Sequence, residues 1–180
     1  MFNSVRVHNF VQSFKVGSIG EEHILQYLQE SDTVEDIQDV RSDKAYQKID
    51  VDFVVTMTTG EVFKIEVKTD TYKSGNIYYE TMSSVETDSI GCFEKTEADF
   101  LFYYFVNLQT LYVFSMPEYK EWFNLKEADF KAAGYQKHVK NRAGKNKQYT
   151  SIGYAFPYAL FDEEPLPWVR KLTVQLGGLI

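Results

Sequence analysis

Two acidic, β-rich runs hold the residues best suited to chemistry. In the run EVFKIEVK, residues 61–68, strand alternation puts Phe63, Ile65 and Val67 on one face and Lys64, Glu66 and Lys68 on the other. In IDVDFVV, residues 49–55, Val51, Phe53 and Val55 share one face, and Asp50 and Asp52 the other. Thr58-Thr59-Gly60 supplies a three-residue connection with Gly at the left-handed position, a favoured hairpin. That turn pairs Met57 with Glu61 and, counting back along both strands, sets Asp52 opposite Glu66. Opposed side chains lie about 4.5–5.5 Å apart at Cβ, and like charges so placed repel. A divalent cation would relieve the pair, since Mg²⁺ takes one or two carboxylates and keeps waters for a phosphate. Such an ion polarises a phosphate and helps make hydroxide from water. Lys68, two residues on, is placed to orient that water or stabilise the developing charge. The other reading is a solvent-facing hairpin. Glu-x-Lys recurs at Glu118-Tyr119-Lys120, and a register slip of one residue would send Asp52 and Glu66 to opposite faces. Asp50 rivals Asp52 on the same face.

A second feature is electrostatic. Residues 131–147 hold six of the 19 basic residues and no acidic one, although the chain carries −7 overall. Such a stripe on an acidic protein suits a phosphate backbone. Lys137, Lys140, Arg142, Lys145 and Lys147 are the candidate contacts, on a segment that Asn141, Gly144 and Asn146 predict to be a flexible loop. The alternative is a solvated loop that balances the acidic remainder. The aromatic stretch 100–105 suits a core strand better than a face for stacking bases. Gln47, Thr69, Asp70, Lys73, Asn76, Glu80, Gly91, Cys92 and Lys95 are minor candidates for the same cleft. His8, His23 and His138 show no ligand spacing, and no Walker-type phosphate loop is present.

These residues need a scaffold. Ile24, Leu25 and Leu28 predict a helix over 19–30, with Ile19 and Tyr27 flanking the same side, Ser18 as N-cap and Glu21 completing a capping box. Strands are expected near 33–41, over both hairpin runs, at 76–81, at 98–106 and at 111–116. Pro117 opens a helix to about Phe123, a second short helix spans 125–133, and Gly134 follows its end. The run 149–161 reads as strand then turn, and the tail as one more strand or a loose end. The expected fold is α/β (α+β), a mixed central β-sheet with an N-terminal helix packed on it and further helices.

The ordered set Gly17-Ser18-x-Gly20-Glu21 on a helix, Asp52 leading an apolar strand, a turn, then Ile65-Glu66-Val67-Lys68 resembles the PD-(D/E)XK nuclease superfamily. The nearest flavour is the Holliday-junction resolvase and restriction-endonuclease-like branch. The resemblance covers roughly residues 15–105. It implies a restriction-endonuclease-like core, with Asp52 and Glu66 as Mg²⁺ ligands, Mn²⁺ as a substitute, Lys68 as the catalytic lysine and Glu21 as a supporting carboxylate. Val51 stands where that pattern has proline. The implied activity is metal-dependent phosphodiester hydrolysis in DNA, structure-specific in the resolvase manner. A non-catalytic nucleic-acid-binding protein of the same fold and an RNA-directed nuclease are the alternatives. A two-fold homodimer would suit the cutting of two strands.

Composition bounds these readings. At 180 residues the chain suits a single domain. It divides into a core of about 15–116 and a C-terminal elaboration of about 117–180 that carries the basic loop. Hydrophobic residues at 44% and aromatics at 16% exclude whole-chain disorder. Cys92 stands alone, which excludes an internal disulfide and Cys-rich zinc or iron–sulfur sites. No apolar run nears the roughly 20 residues of a membrane span, and the first residues lack a signal-peptide pattern. A soluble protein of the reducing cytoplasm is expected, with no membrane partner.

Overall fold

The fold is known from a computed structural model. It describes residues 8–71, 74–143, 147–163 and 165–175, with side chains from residue 16 onward and excluding those of 143 and 147. The elements in chain order are β1 (His8–Asn9), α1 (Phe10–Gln29), β2 (Val34–Asp39), α2 (Lys44–Lys48), β3 (Phe53–Met57), β4 (Val62–Asp70), β5 (Asn76–Ser84) and β6 (Ser89–Ile90). They continue with α3 (Cys92–Lys95), β7 (Phe100–Phe105), β8 (Thr110–Ser115), α4 (Met116–Ala132), β9 (Gln136–Ala143), β10 (Lys147–Pro157), α5 (Leu160–Glu163) and β11 (Val169–Thr173). The class is mixed α/β, as expected, with several helices and a mixed central sheet. Among the described residues no helix is long and apolar enough to cross a membrane.

The central sheet has six strands in the order β11-β8-β7-β4-β3-β2. Only β4 and β7 run parallel within it; its other neighbours are antiparallel. The single expected sheet is joined by another, of five strands in the order β1-β9-β10-β5-β6. Strands from the segment after residue 117 enter both sheets, β9 and β10 beside β5 and β11 beside β8.

Alternation assigns each face of the central sheet a core. Ile65 and Val67 of β4, Phe53 and Val55 of β3, and Phe102 and Tyr104 of β7 pack under Ile24 and Leu28 of α1. On the other face Leu101, Tyr103 and Phe105 of β7 join Tyr112 and Phe114 of β8, Ile77 and Tyr79 of β5, and Tyr119, Phe123 and Phe130 of α4. The aromatic stretch 100–105 is therefore core on both faces. Its rings stack closely, Tyr79 on Phe123 at 3.8 Å between centroids and Phe114 on Tyr119 at 4.4 Å.

Three local expectations change. α1 begins at Phe10 rather than residue 19, so Ser18 is no cap, Glu21 completes no capping box, and Ile19 is half exposed. One helix, Met116–Ala132, replaces the two that were expected, because Tyr119, Phe123 and Phe130 make a continuous buried stripe. Pro117 opens it and Gly134 follows it at φ +77°. Much of the basic segment is strand rather than loop: residues 136–143 form β9, paired along its length with β10, while residues 144–146 lie outside the described residues.

Glycine sets how closely α1 approaches β4. A Cβ on Gly20 would lie 2.0 Å from Thr69 Oγ1 and 2.7 Å from Thr69 Cβ, and Thr69 Oγ1 donates to the Gly17 carbonyl at 3.5 Å. Overpacking of this kind costs about 1–3 kcal/mol. Gly20→Ala is expected to lower the midpoint of thermal unfolding by that cost, and adding Thr69→Ala to recover only part of it, since Thr69 Cβ still crowds the site. A Gly20→Ala protein as stable as wild type would show that the helix rides higher on the strand.

Candidate functional site

The hairpin forms with the expected register. Phe53 pairs with Ile65 and Thr56 with Val62, Met57 N–H donates to the Glu61 carbonyl at 2.8 Å, and Gly60 takes φ +86°. The ladder ends one residue short of Asp52. Asp52 N–H donates to the Ile65 carbonyl at 2.8 Å, and its carboxylate Oδ2 accepts from Val67 N–H at 2.8 Å. The Asp52 side chain thus substitutes for a ladder carbonyl and is held against the residues that flank Glu66.

Glu66 is 5% exposed, which removes the solvent-facing alternative for its position. Its Oε1 lies 2.6 Å from Lys68 Nζ. Burial raises the Glu66 carboxyl to about 8; Lys68 opposes the rise and Asp52 adds to it. Asp52 is raised too, by burial first, with the Val67 N–H pulling the other way. Burial works against the charge on Lys68. The facing carboxyl groups of Glu66 and Asp52 oppose it, and the ammonium is held well above the lysine range. Lys68 accordingly stays a charged hydrogen-bond donor at neutral pH rather than a base.

Glu21 reaches the same cluster from α1. Burial and the neighbouring Asp52 raise its carboxyl, and Arg41 opposes them. Arg41 is the residue that sequence reasoning missed. Its guanidinium bridges Glu21 at 3.3 Å and Glu22 at 2.8 Å, pairs with Asp39, and lies over the Phe53 ring at 5.1 Å. It stands just beyond the end of β2, and no periodicity or spacing marks it in the sequence.

Asp50, the rival aspartate, takes φ +45° in the turn before β3 and is paired with Lys95 at 3.0 Å. It therefore shares no strand face with Asp52, although its charge is felt at Glu66. Gln47 donates to the Arg41 carbonyl at 2.7 Å. The second Glu-x-Lys sits on α4, where Lys120 donates to the Thr96 carbonyl at 3.0 Å. Glu80 and Cys92 line one cleft with Lys68: burial raises Glu80 while Lys68 lowers it, and burial pushes the Cys92 thiol up to about 12.

The basic candidates do not gather at this cluster. Val139 and Asn141 of β9 line the cleft next to Lys68, so Lys140 and Arg142, of opposite parity, point to the other face and are exposed. Lys137 has the cleft-side parity but donates to the Gly134 carbonyl at 2.7 Å. Lys145 lies outside the described residues, as does the side chain of Lys147.

Asp52, Glu66, Lys68 and Glu21 thus meet around the end of the hairpin, with carboxylates in excess over cations. Asp52 and Glu66 are the pair able to hold a cation. Among the described residues no three His, Cys, Asp or Glu side chains form a ready-made metal cage. Comparison with family models, curated proteins and solved structures finds no match. The geometry itself is the ground for a functional reading.

A carboxyl raised on folding stabilises the neutral form, so its contribution is present at low pH and lost as pH climbs from the usual carboxylate range through about 8. Without added metal, wild type is expected to lose about 2 kcal/mol or more between pH 5 and pH 8.5 that the Glu66→Gln variant retains. Denaturant melts at both pH values measure this. Parallel pH profiles for the two proteins would mean that Glu66 ionises freely.

Proposed function

We propose that the chain is a metal-dependent nuclease of the PD-(D/E)XK type, hydrolysing phosphodiester bonds with DNA as its substrate. The observation that carries this reading is the convergence of Asp52, Glu66 and Lys68 at the end of one hairpin, with Glu21 reaching in from α1. Two neighbouring carboxylates, Glu66 buried and Asp52 half-buried, both raised by desolvation, fit a divalent cation, because Mg²⁺ needs only one or two carboxylates and completes its shell with water. Asp52 and Glu66 would hold it, and Glu21 would support it. Bound there, Mg²⁺ would polarise the phosphate and lower the pKa of a bound water.

The rest falls to the side chains. Lys68 carries a fixed positive charge at the cluster and donates hydrogen bonds to the charge that develops on the phosphoryl oxygens. Its contact with Glu66 aims the ammonium. Val67 N–H fixes the Asp52 carboxylate, and Arg41 holds Glu21 against repulsion from Asp52. The basic residues of β9 would follow the phosphate backbone outside the cluster, each neutralised phosphate steepening the salt dependence of binding.

Cleavage of a labelled panel of four-way junction, duplex, single strand and RNA, with Mg²⁺ or Mn²⁺, tests the reading. Wild type is expected to cut with metal and not with EDTA. Glu66→Ala and Lys68→Ala are each expected to lose about 100-fold or more. Tight, salt-sensitive binding without cutting would replace the proposal by a non-catalytic nucleic-acid-binding protein.

A further inference from the structure

Beside the Asp52–Glu66–Lys68 cluster, the two sheets leave a cleft of about 700 Å³. Lys68 and Asp70 of β4, Tyr78 and Glu80 of β5, and Asn141 and Tyr149 of β9 and β10 contribute to its walls. Lys68 belongs to both places: its ammonium meets Glu66 while its side chain lines the cleft. We infer that the cleft receives one unpaired base of a single-stranded nucleic acid, stacked on Tyr149, with the adjoining phosphate at Lys68. The inference rests on the nuclease reading and narrows its substrate to single-stranded or frayed ends.

Size is the first argument. A volume of this order matches the roughly 300–1,000 Å³ of sites that enclose a drug-sized molecule, and a nucleoside is of that class. A base stacked within a duplex cannot reach a wall recessed between two sheets, and proteins that use such recesses take the base out of the helix. The second argument is the surface offered. Tyr149 is half-buried on β10, opposite Asn141, and Tyr78 stands on the neighbouring β5 with its hydroxyl buried. Stacking on an aromatic side chain is worth about 1–3 kcal/mol per base and tolerates any sequence.

Charge fixes the orientation. Lys68 is the one cation among the described lining residues, and it sits at the side of the carboxylate cluster. Asp70 and Glu80 are acidic. A phosphate pushed inward would meet these carboxylates, whereas a neutral base would present amino groups to them as donors. The base therefore goes in and the phosphate stays at Lys68, beside the groups assigned to hydrolysis.

Binding can be read apart from cleavage. Fluorescein-labelled oligo-dT and its duplex with oligo-dA are titrated in EDTA and followed by anisotropy. Wild type is expected to prefer the single strand. Tyr149→Ala is expected to weaken single-strand binding roughly 5- to 100-fold, with Tyr149→Phe close to wild type and duplex binding unmoved. Tyr149→Leu keeps the bulk of the wall without a π face and gives the same answer if the alanine variant unfolds. Equal affinity for duplex and single strand, or full binding by both Tyr149→Ala and Tyr149→Leu, would overturn the inference. Single-strand binding that depends on Tyr149 in a protein that cuts nothing would retain the base site and remove the nuclease. Metal-dependent cutting that is indifferent to Tyr149 and to pairing would do the reverse.

Discussion

The Glu66–Lys68 contact between two layers constrains much of this molecule. β4 has Ile65 and Val67 against α1, so Glu66 and Lys68 must face the opposite side, where Glu66 is buried and Lys68 lines the cleft beside the second sheet and α3. Removing a carboxylate from water costs several kcal/mol unless a partner compensates it, and Glu66 has Lys68 at 2.6 Å as that partner. Asp52, Glu80 and Asp50 add negative charge around it. The arrangement is poor for stability and leaves the cluster short of positive charge. Conflict between local favourability and the global fold is expected where a site does chemistry.

Such strain is tolerable because the surroundings are rigid. The second face of the central sheet is dominated by aromatic rings from β5, β7, β8, β10 and α4, in contact across two sheets and a helix. Ring pairs add about 0.5–1.5 kcal/mol each beyond area burial. The other face gains rigidity from close approach, since α1 touches β4 at Gly20 without an intervening Cβ. That approach brings Glu21 toward Asp52, while Arg41 neutralises part of the excess charge from the end of β2.

The same layering makes the cleft. β5 sends Ile77 and Tyr79 into the aromatic core and Tyr78 and Glu80 to the cleft wall, with β9 and β10 extending that wall beyond the central sheet. The hairpin β9–β10 carries the basic segment, and strand parity divides it. Asn141 faces inward, while Lys140 and Arg142 face out. A composition count finds such a stripe of charge but cannot say which side of a sheet it lies on, because that depends on the pairing of β10 with β5, from Ile152↔Met82 to Pro157↔Asn76.

What the sequence determined by itself was local. Alternation over 61–68, the three-residue turn with Gly60 and the apolar run after Asp52 specified the hairpin and its register, because the turn and a period of two leave one alignment that buries the apolar face. Pro117 and the helical spacing of Ile24 and Leu28 likewise act over a few residues. Tertiary structure decided the rest. The continuity of α4 follows from the surface its buried stripe covers, which outweighs propensity terms of about 1 kcal/mol. The burial of Glu66, the arrival of Arg41 and Glu80 and the place of Tyr149 on the cleft wall all depend on elements remote in the chain coming together. Side-chain chemistry is written residue by residue. Desolvation and charge proximity, which turn it into a site, exist only once the layers close.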